Sequence, residues 1–298
     1  SRSFAFESPV PQGSIFKLVT AYEGLRQGVH LTLIDEVSQQ GVAYTLNHTL
    51  YPRFYKGGRL PRSSAANIGK IDLLGAIERT SNPYFSILAG DYFHDPDDLV
   101  HAAKLFGFGE RTGIELPTEK KGNIPTDLKT NRTGLYSTAI GQHTLLTTPL
   151  QTANMIATIA NGGNLLKPKL ARISHTLGQN RVHLQDKFAF LSSSIFKNID
   201  SSFTAKSASA GCSAFDRECE KCGLVQAAPE IRRVIPLNES IRATLIEGMD
   251  RVVSGTKGSA NPTGIIGLLR NPILMRKYLS LQHQMVGKTG TAEILYNS

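Results

Sequence analysis

Residues 11–17 read Pro11-Gln12-Gly13-Ser14-Ile15-Phe16-Lys17, and residues 287–293 read Gly287-Lys288-Thr289-Gly290-Thr291-Ala292-Glu293. They sit at opposite ends of a 298-residue chain. In the first stretch the spacing of Ile15, Phe16, Leu18, Val19, Tyr22 and Leu25 predicts an amphipathic helix over 14–25. Pro11 and Gly13 punctuate its start, and Ser is a favoured residue at a helix start. Ser14 and Lys17 then share one helical face. A hydroxyl is a poor nucleophile, but a neutral amine held beside it can take its proton during attack. The helix N-terminus adds N–H groups and positive potential where an oxyanion would form. Read locally, the same residues could be no more than an N-capping serine and an exposed lysine.

The second stretch is expected to be a strand over Gln284–Tyr296. Met285, Val286, Ile294 and Leu295 supply apolar weight, and Thr289 and Thr291 are β-compatible. Glycine weakens a strand interior and often marks the close approach of a ligand. Lys288 offers a cation to an anionic substrate group. Read locally, this is an edge strand protected by a charge. Taken together and in this order, the two stretches read as a serine acyl-transfer site, with the nucleophile and base on a helix and the facing wall on a strand.

With these residues in view, the chain resembles the transpeptidase domain of penicillin-binding proteins, specifically the monofunctional class B enzymes. Residues 12–17 look like their P-x-G-S-x-F-K, Thr80-Ser81-Asn82 falls where they carry S-x-N, and residues 288–293 look like K-T-G-T-A. Two further stretches join the match. Phe106-Gly107-Phe108-Gly109 runs on to Thr112-Gly113-Ile114-Glu115-Leu116-Pro117. Ile140-Gly141-Gln142 leads into Thr148-Pro149-Leu150-Gln151 and residues 157–163. The resemblance covers most of 9–170 and 236–297.

It implies an α/β fold of the serine β-lactamase and penicillin-binding type, an antiparallel sheet flanked by helices. It also implies peptidoglycan D,D-transpeptidation through a serine acyl-enzyme, with acylation by penicillin. The implied catalytic set is Ser14, Lys17, Thr80, Asn82 and Lys288. The implied substrate-binding set is Ser81, Thr289, Gly290 and Thr291, with the Ser14 and Thr291 backbone N–H groups as oxyanion hole. No metal or cofactor is expected. The implied partners are stem peptides, β-lactam antibiotics and, through the parent chain, a glycosyltransferase and other elongation or division proteins. The implied location is the extracytoplasmic face of the inner membrane.

Two positions depart from the pattern. Thr80 stands where the first Ser of S-x-N is usual, which keeps a hydroxyl but stiffens χ1. A shifted register would make Ser81 the working hydroxyl. His143 stands where a small residue is usual, and is expected to be a wall residue.

Rival readings hand the acyl group to water, as a β-lactamase or D,D-carboxypeptidase does, or use acylation to sense β-lactams, or make the domain a scaffold. The long stretch between Ser14 and Lys288 and the lack of a deacylating Glu-x-x-x-Asn weigh against the hydrolases. The intact Ser14, Lys17 and Lys288 weigh against a dead scaffold.

Composition is ordinary for a globular protein, 40% hydrophobic and 19% charged. The net charge of +9 comes from dispersed basic residues without aromatic interleaving, so nucleic acid is not an expected partner. There is no apolar run long enough to span a membrane and no leader at Ser1. The expectation is a partial slice of the domain, 1–298, lacking flanking strands and an anchor.

Elsewhere, residues 31–70 are expected to form a loop-rich region with short strands, and 71–91 two helices with Thr80-Ser81-Asn82 in the turn between them. His94-Asp95-Pro96-Asp97-Asp98 with His101 is read as a helix start rather than a metal cluster. A Ser- and Cys-rich insertion is expected at about 178–235. Its Cys212, Cys219 and Cys222 are compatible with one disulfide and a spare thiol, free thiols, or a metal with an outside ligand.

Overall fold

The computed structural model describes residues 3–35, 42–46, 49–52, 54–62, 68–170, 174–175, 225–226, 229–261 and 271–291. Two compact units divide the chain. One comprises Ser1–Pro168 and Ile231–Ser298, the other Lys169–Glu230. In the smaller unit, Ser174–His175 pairs antiparallel with Val225–Gln226. The three cysteines lie outside the described residues. Residues 231–234, counted above with the insertion, pair antiparallel with Asn164–Leu166 inside the larger unit.

The larger unit is organised around the helix Lys17–Arg26. The periodicity suggested an amphipathic helix, but every residue from Lys17 to Gly24 is buried. Helices Asp97–Leu105 and Glu239–Ser254 pack against it. Tyr22 meets Phe106 edge-on at 5.1 Å, and Phe16 meets Phe108 at 5.9 Å. The polar residues on the inward faces are matched. Thr20 Oγ1 donates to the Ala139 carbonyl at 2.7 Å. The buried Glu23 carboxylate accepts a forked pair from Arg26 at 2.7 and 2.8 Å. A buried carboxylate without such donors would be strongly destabilising.

Two short helices flank the middle motif, as expected. Asp72 caps Leu73–Arg79 by accepting the Gly75 N–H at 2.8 Å. Helix Asn82–Ile87 follows, with a proline in its first turn, and continues as a π-helical turn over Leu88–Tyr92. Helix Leu73–Arg79 lies close against Glu239–Ser254 because Gly248 has no side chain. A Cβ there would come within 2.8 Å of Ile77. Thr148 and Gln151 form a reciprocal capping box at the start of helix Pro149–Ala160. Asp95 accepts the Asp97 N–H at 2.8 Å, so the acidic cluster does start a helix.

The strands form small antiparallel sheets. The largest has the spatial order Thr49–Pro52, Val42–Leu46, Leu33–Asp35, Gly69–Ile71. Tyr55 and Gly58 close a separate hairpin. The expected strand around Lys288 is not formed over 284–291. Helix Pro272–Leu281 precedes an extended run with no ladder partner among the described residues. Contacts of another kind hold that run: the Gly287 N–H donates to the Met249 carbonyl at 3.2 Å, and the Lys288 and Thr289 side chains reach across to Thr80 and Ser259. Residues 292–296 of the expected strand lie outside the described residues. Among the described residues, no helix is long and apolar enough to cross a membrane.

Candidate active site

Ser14 lies not in the α-helix but in the 3-10 turn Gly13–Phe16 that leads into it. In a 3-10 turn residues three apart eclipse each other, which stacks Ser14 over Lys17 more directly than an α-turn would. Gly13 takes a φ of 63°, and its N–H donates to the Gly141 carbonyl at 2.8 Å. Gly141 has a φ of 79°, and a Cβ on it would lie 2.0 Å from the Gly13 carbonyl oxygen. Only glycine fits this junction, so the turn Ile140-Gly141-Gln142 is clamped directly onto the serine turn.

Ser14 is 8% exposed and Lys17 fully buried. Lys17 Nζ donates to Asn82 Oδ1 at 2.6 Å and to the Thr80 carbonyl at 2.9 Å. The Phe85 ring lies 5.8 Å away and closes the apolar side. Asn82 is itself held, with its Nδ2 donating to the Arg62 carbonyl at 2.6 Å.

Thr80 ends helix Leu73–Arg79 in the left-handed region, at φ 59° and ψ 44°. A β-branched residue there is strained, by about 1–3 kcal/mol. This conformation turns its carbonyl towards Lys17 and its hydroxyl towards the opposite wall. Lys288 Nζ donates to Thr80 Oγ1 at 2.5 Å and to the Thr289 carbonyl at 3.0 Å. Burial pushes the Lys288 ammonium down to about 7. Thr289 Oγ1 lies 2.6 Å from Ser259 Oγ and 3.5 Å from Thr80 Oγ1. Gly290 lets the wall close on the serine turn, since a Cβ would come within 2.9 Å of Ile15. Gln142 Nε2 reaches the Thr291 carbonyl at 3.5 Å.

Of the nine sequence-derived residues, Lys17, Thr80, Asn82, Lys288 and Thr289 are joined by hydrogen bonds, Gly290 closes on Ile15 of the serine turn, and Ser14 stands three residues before Lys17 in that turn. Thr291 joins them through Gln142. Ser81 is engaged elsewhere. It is fully buried and caps helix Asn82–Ile87, accepting the Tyr84 N–H at 3.3 Å. His143, at φ 68°, turns its ring to Asp127 at 3.0 Å. Hydrogen bonds from Asn131 and then His143 hold the Asp127 carboxyl below the usual carboxylate range. Ser259 was not foreseen. It follows a Gly-Thr-Lys-Gly turn, and no local spacing marks it out.

A family model described as the penicillin binding protein transpeptidase domain matches residues 1–298. Penicillin-binding protein H of Bacillus subtilis is 34% identical over 137 residues, covering 41% of this chain and 19% of that protein. Peptidoglycan D,D-transpeptidase MrdA of Acinetobacter baumannii is 28% identical over 179 residues, covering 57% of this chain and 25% of that protein. The matched regions are thus a quarter or less of these relatives' lengths. The crystal structure of Pseudomonas aeruginosa PBP2 in complex with WCK 5153 superposes with a TM-score of 0.55 at 20% identity, covering 90% of this chain and 50% of that one. At that identity the likeness is one of fold.

Proposed function

Since the chain belongs to the penicillin-binding protein transpeptidase family, we propose that it carries the site of a peptidoglycan D,D-transpeptidase that cross-links stem peptides. Ser14 Oγ attacks the carbonyl between two terminal D-alanines while its proton passes to the neutral Lys17 amine. The two N–H bonds of that amine can stay on Asn82 and the Thr80 carbonyl while its lone pair takes the proton. The Ser14 and Thr291 backbone N–H groups hold the oxyanion. The C–N bond then breaks, the leaving amine takes the proton that Lys17 holds, relayed through the Thr80 hydroxyl, and D-alanine departs, leaving the acyl-enzyme and a neutral Lys17. An amine of a second stem peptide attacks the ester and gives a proton to Lys17; as the C–O bond breaks, Lys17 passes that proton to Ser14 Oγ, which recovers its hydroxyl.

The observation that carries this reading is the double use of Thr80. Its carbonyl holds Lys17 while its hydroxyl accepts from Lys288. With Lys288 donating to its oxygen, the Thr80 O–H can turn to the leaving amine, give it a proton and take a replacement from the Lys17 ammonium. Lys288 and Thr289 face the position of the substrate's terminal carboxylate. The arrangement also suits acylation by β-lactams, whose carboxylate and amide carbonyl mimic the same groups. The site would work on the extracytoplasmic face of the inner membrane, alongside a glycosyltransferase and other proteins of the elongation or division machinery.

Labelled penicillin tests this directly. Mass spectrometry should find one adduct on the peptide containing Ser14, and none in Ser14→Ala. An adduct on another residue overturns the assignment. An acyl-enzyme formed from a peptide donor should pass to an added amine in preference to water, and transfer to water alone overturns transpeptidation.

A further inference from the structure

The loop after helix Glu239–Ser254 is tied down at almost every residue. Gly255 N–H donates to the Arg251 carbonyl, Gly258 N–H to Gly255, and Ala260 N–H to Val252, each at 3.0 Å. Asn261 Nδ2 donates to the Gly255 carbonyl at 2.7 Å. Gly258 sits so close to the helix end that a Cβ would lie 2.4 Å from two of its carbonyl oxygens. Ser259 N–H donates to the Glu78 carbonyl at 3.0 Å, which fixes the loop to the residue two before Thr80. The result is a rigid mount for one exposed hydroxyl. Ser259 Oγ lies 2.6 Å from Thr289 Oγ1 and 3.3 Å from Thr80 Oγ1.

We propose that Ser259 is a positioning residue for recognition of the substrate's terminal carboxylate. The inference rests on the transpeptidase reading above and adds to it a residue from a separate segment of the chain. A hydroxyl carries one proton and two acceptor lone pairs. When Ser259 donates to Thr289, the Thr289 oxygen is satisfied as an acceptor and its own proton is directed outward. Without Ser259, the Thr289 hydroxyl can rotate to donate to Thr80 or to water, and its proton is lost to the carboxylate. Lys288 supplies charge to that anion, and Ser259 supplies the orientation of the hydroxyl beside it. Ser259 acts on binding, because its close contact is the 2.6 Å one to Thr289 on the carboxylate side, while the Thr80 hydroxyl lies farther off at 3.3 Å.

The test measures acylation kinetics with a penicillin and with the methyl ester of its carboxylate, on wild type, Ser259→Ala and Ser259→Thr. Ser259→Ala should weaken the binding constant for the acid about tenfold, the scale of one hydrogen bond to a charged group. The limiting acylation rate constant should stay within about twofold of wild type. With the ester, Ser259→Ala should match wild type. Ser259→Thr restores the hydroxyl and should restore binding of the acid. If Ser259→Ala handles the acid like wild type, or loses equally on acid and ester, the inference is overturned. If wild type itself takes no adduct at Ser14, the transpeptidase reading falls first, so the two failures are told apart.

Discussion

Lys288 and Thr80 are 208 residues apart in the chain, and the lysine Nζ donates to the threonine hydroxyl at 2.5 Å. The hydroxyl of Thr80 therefore meets Lys288, while that of Ser81 caps helix Asn82–Ile87. Thr80→Val, which keeps the shape and removes the hydroxyl, should slow acylation about 10²–10⁴-fold. Thr80→Ser should retain most of the rate and relieve part of the left-handed strain. Ser81→Ala should leave acylation of the folded protein intact and cost about 1 kcal/mol through the lost helix cap. Stopped-flow acylation and urea unfolding of the three variants check both halves.

Lys288 gives a pH dependence with a definite sign. Partial burial pushes its ammonium down from the usual 10.5 to about 7. In the unliganded protein the cation is therefore lost as pH rises through about 7, and second-order acylation by a carboxylate-bearing penicillin should decline above that value. Lys288→Arg keeps its charge and should remove the decline, even if its rate is lower. For stability the sign is opposite. Between about 7 and 10.5 the unfolded chain binds the proton that the folded chain has released. Wild type should therefore gain stability with rising pH relative to Lys288→Met in that window. Acylation and unfolding profiles from pH 6 to 10 test both signs.

Lys17→Ala should lose acylation almost completely, and Lys17→Arg should not restore it. A guanidinium cannot act as a base at neutral pH and does not fit two acceptors placed for a single amine nitrogen. An active arginine variant would remove Lys17 from the role of base.

The junction of Gly13 and Gly141 should tolerate no side chain. Gly141→Ala places a Cβ 2.0 Å from the Gly13 carbonyl oxygen at a positive φ. Its cost should exceed the roughly 0.5–3 kcal/mol usual for a point substitution, and acylation should be lost with it. Gly162 is the control, with a φ of 80° and nothing among the described residues within 4 Å of its added Cβ. Gly162→Ala should lose only about 1–2 kcal/mol, from backbone conformation alone. Chemical denaturation of the two variants separates steric clash from backbone strain.

Gln12, two residues before the serine, is buried with neither side-chain polar atom hydrogen-bonded among the described residues. A buried amide in that state is destabilising by about 1–3 kcal/mol. Gln12→Met, similar in length and without the amide, should raise the thermal midpoint. A lowered midpoint would show that the amide has a partner in solution.

Several parts of this site were legible in sequence because they depend on local spacing. Ser14 and Lys17 are three residues apart, so any helical turn stacks them, α or 3-10. Two helical patterns in 71–91, the second opened by Pro83 with its fixed φ, placed Thr80-Ser81-Asn82 in a turn before any packing was known. What tertiary structure decided was every relation between segments. The choice between Thr80 and Ser81 turned on a left-handed residue at a helix end, which aims one hydroxyl at Lys288 and buries the next in a cap. The buried face of Lys17–Arg26 exceeded its apolar stripe because Thr20 and Glu23 found partners on the helix or across the core. The Lys288 segment scores as a strand by composition, but a strand exists only where a neighbour pairs with it. Here it is held instead by Met249, Thr80 and Ser259. Ser259 itself carries no local signal, because its significance is its 2.6 Å distance from a residue 30 positions away, set by how a tethered loop packs on two helices.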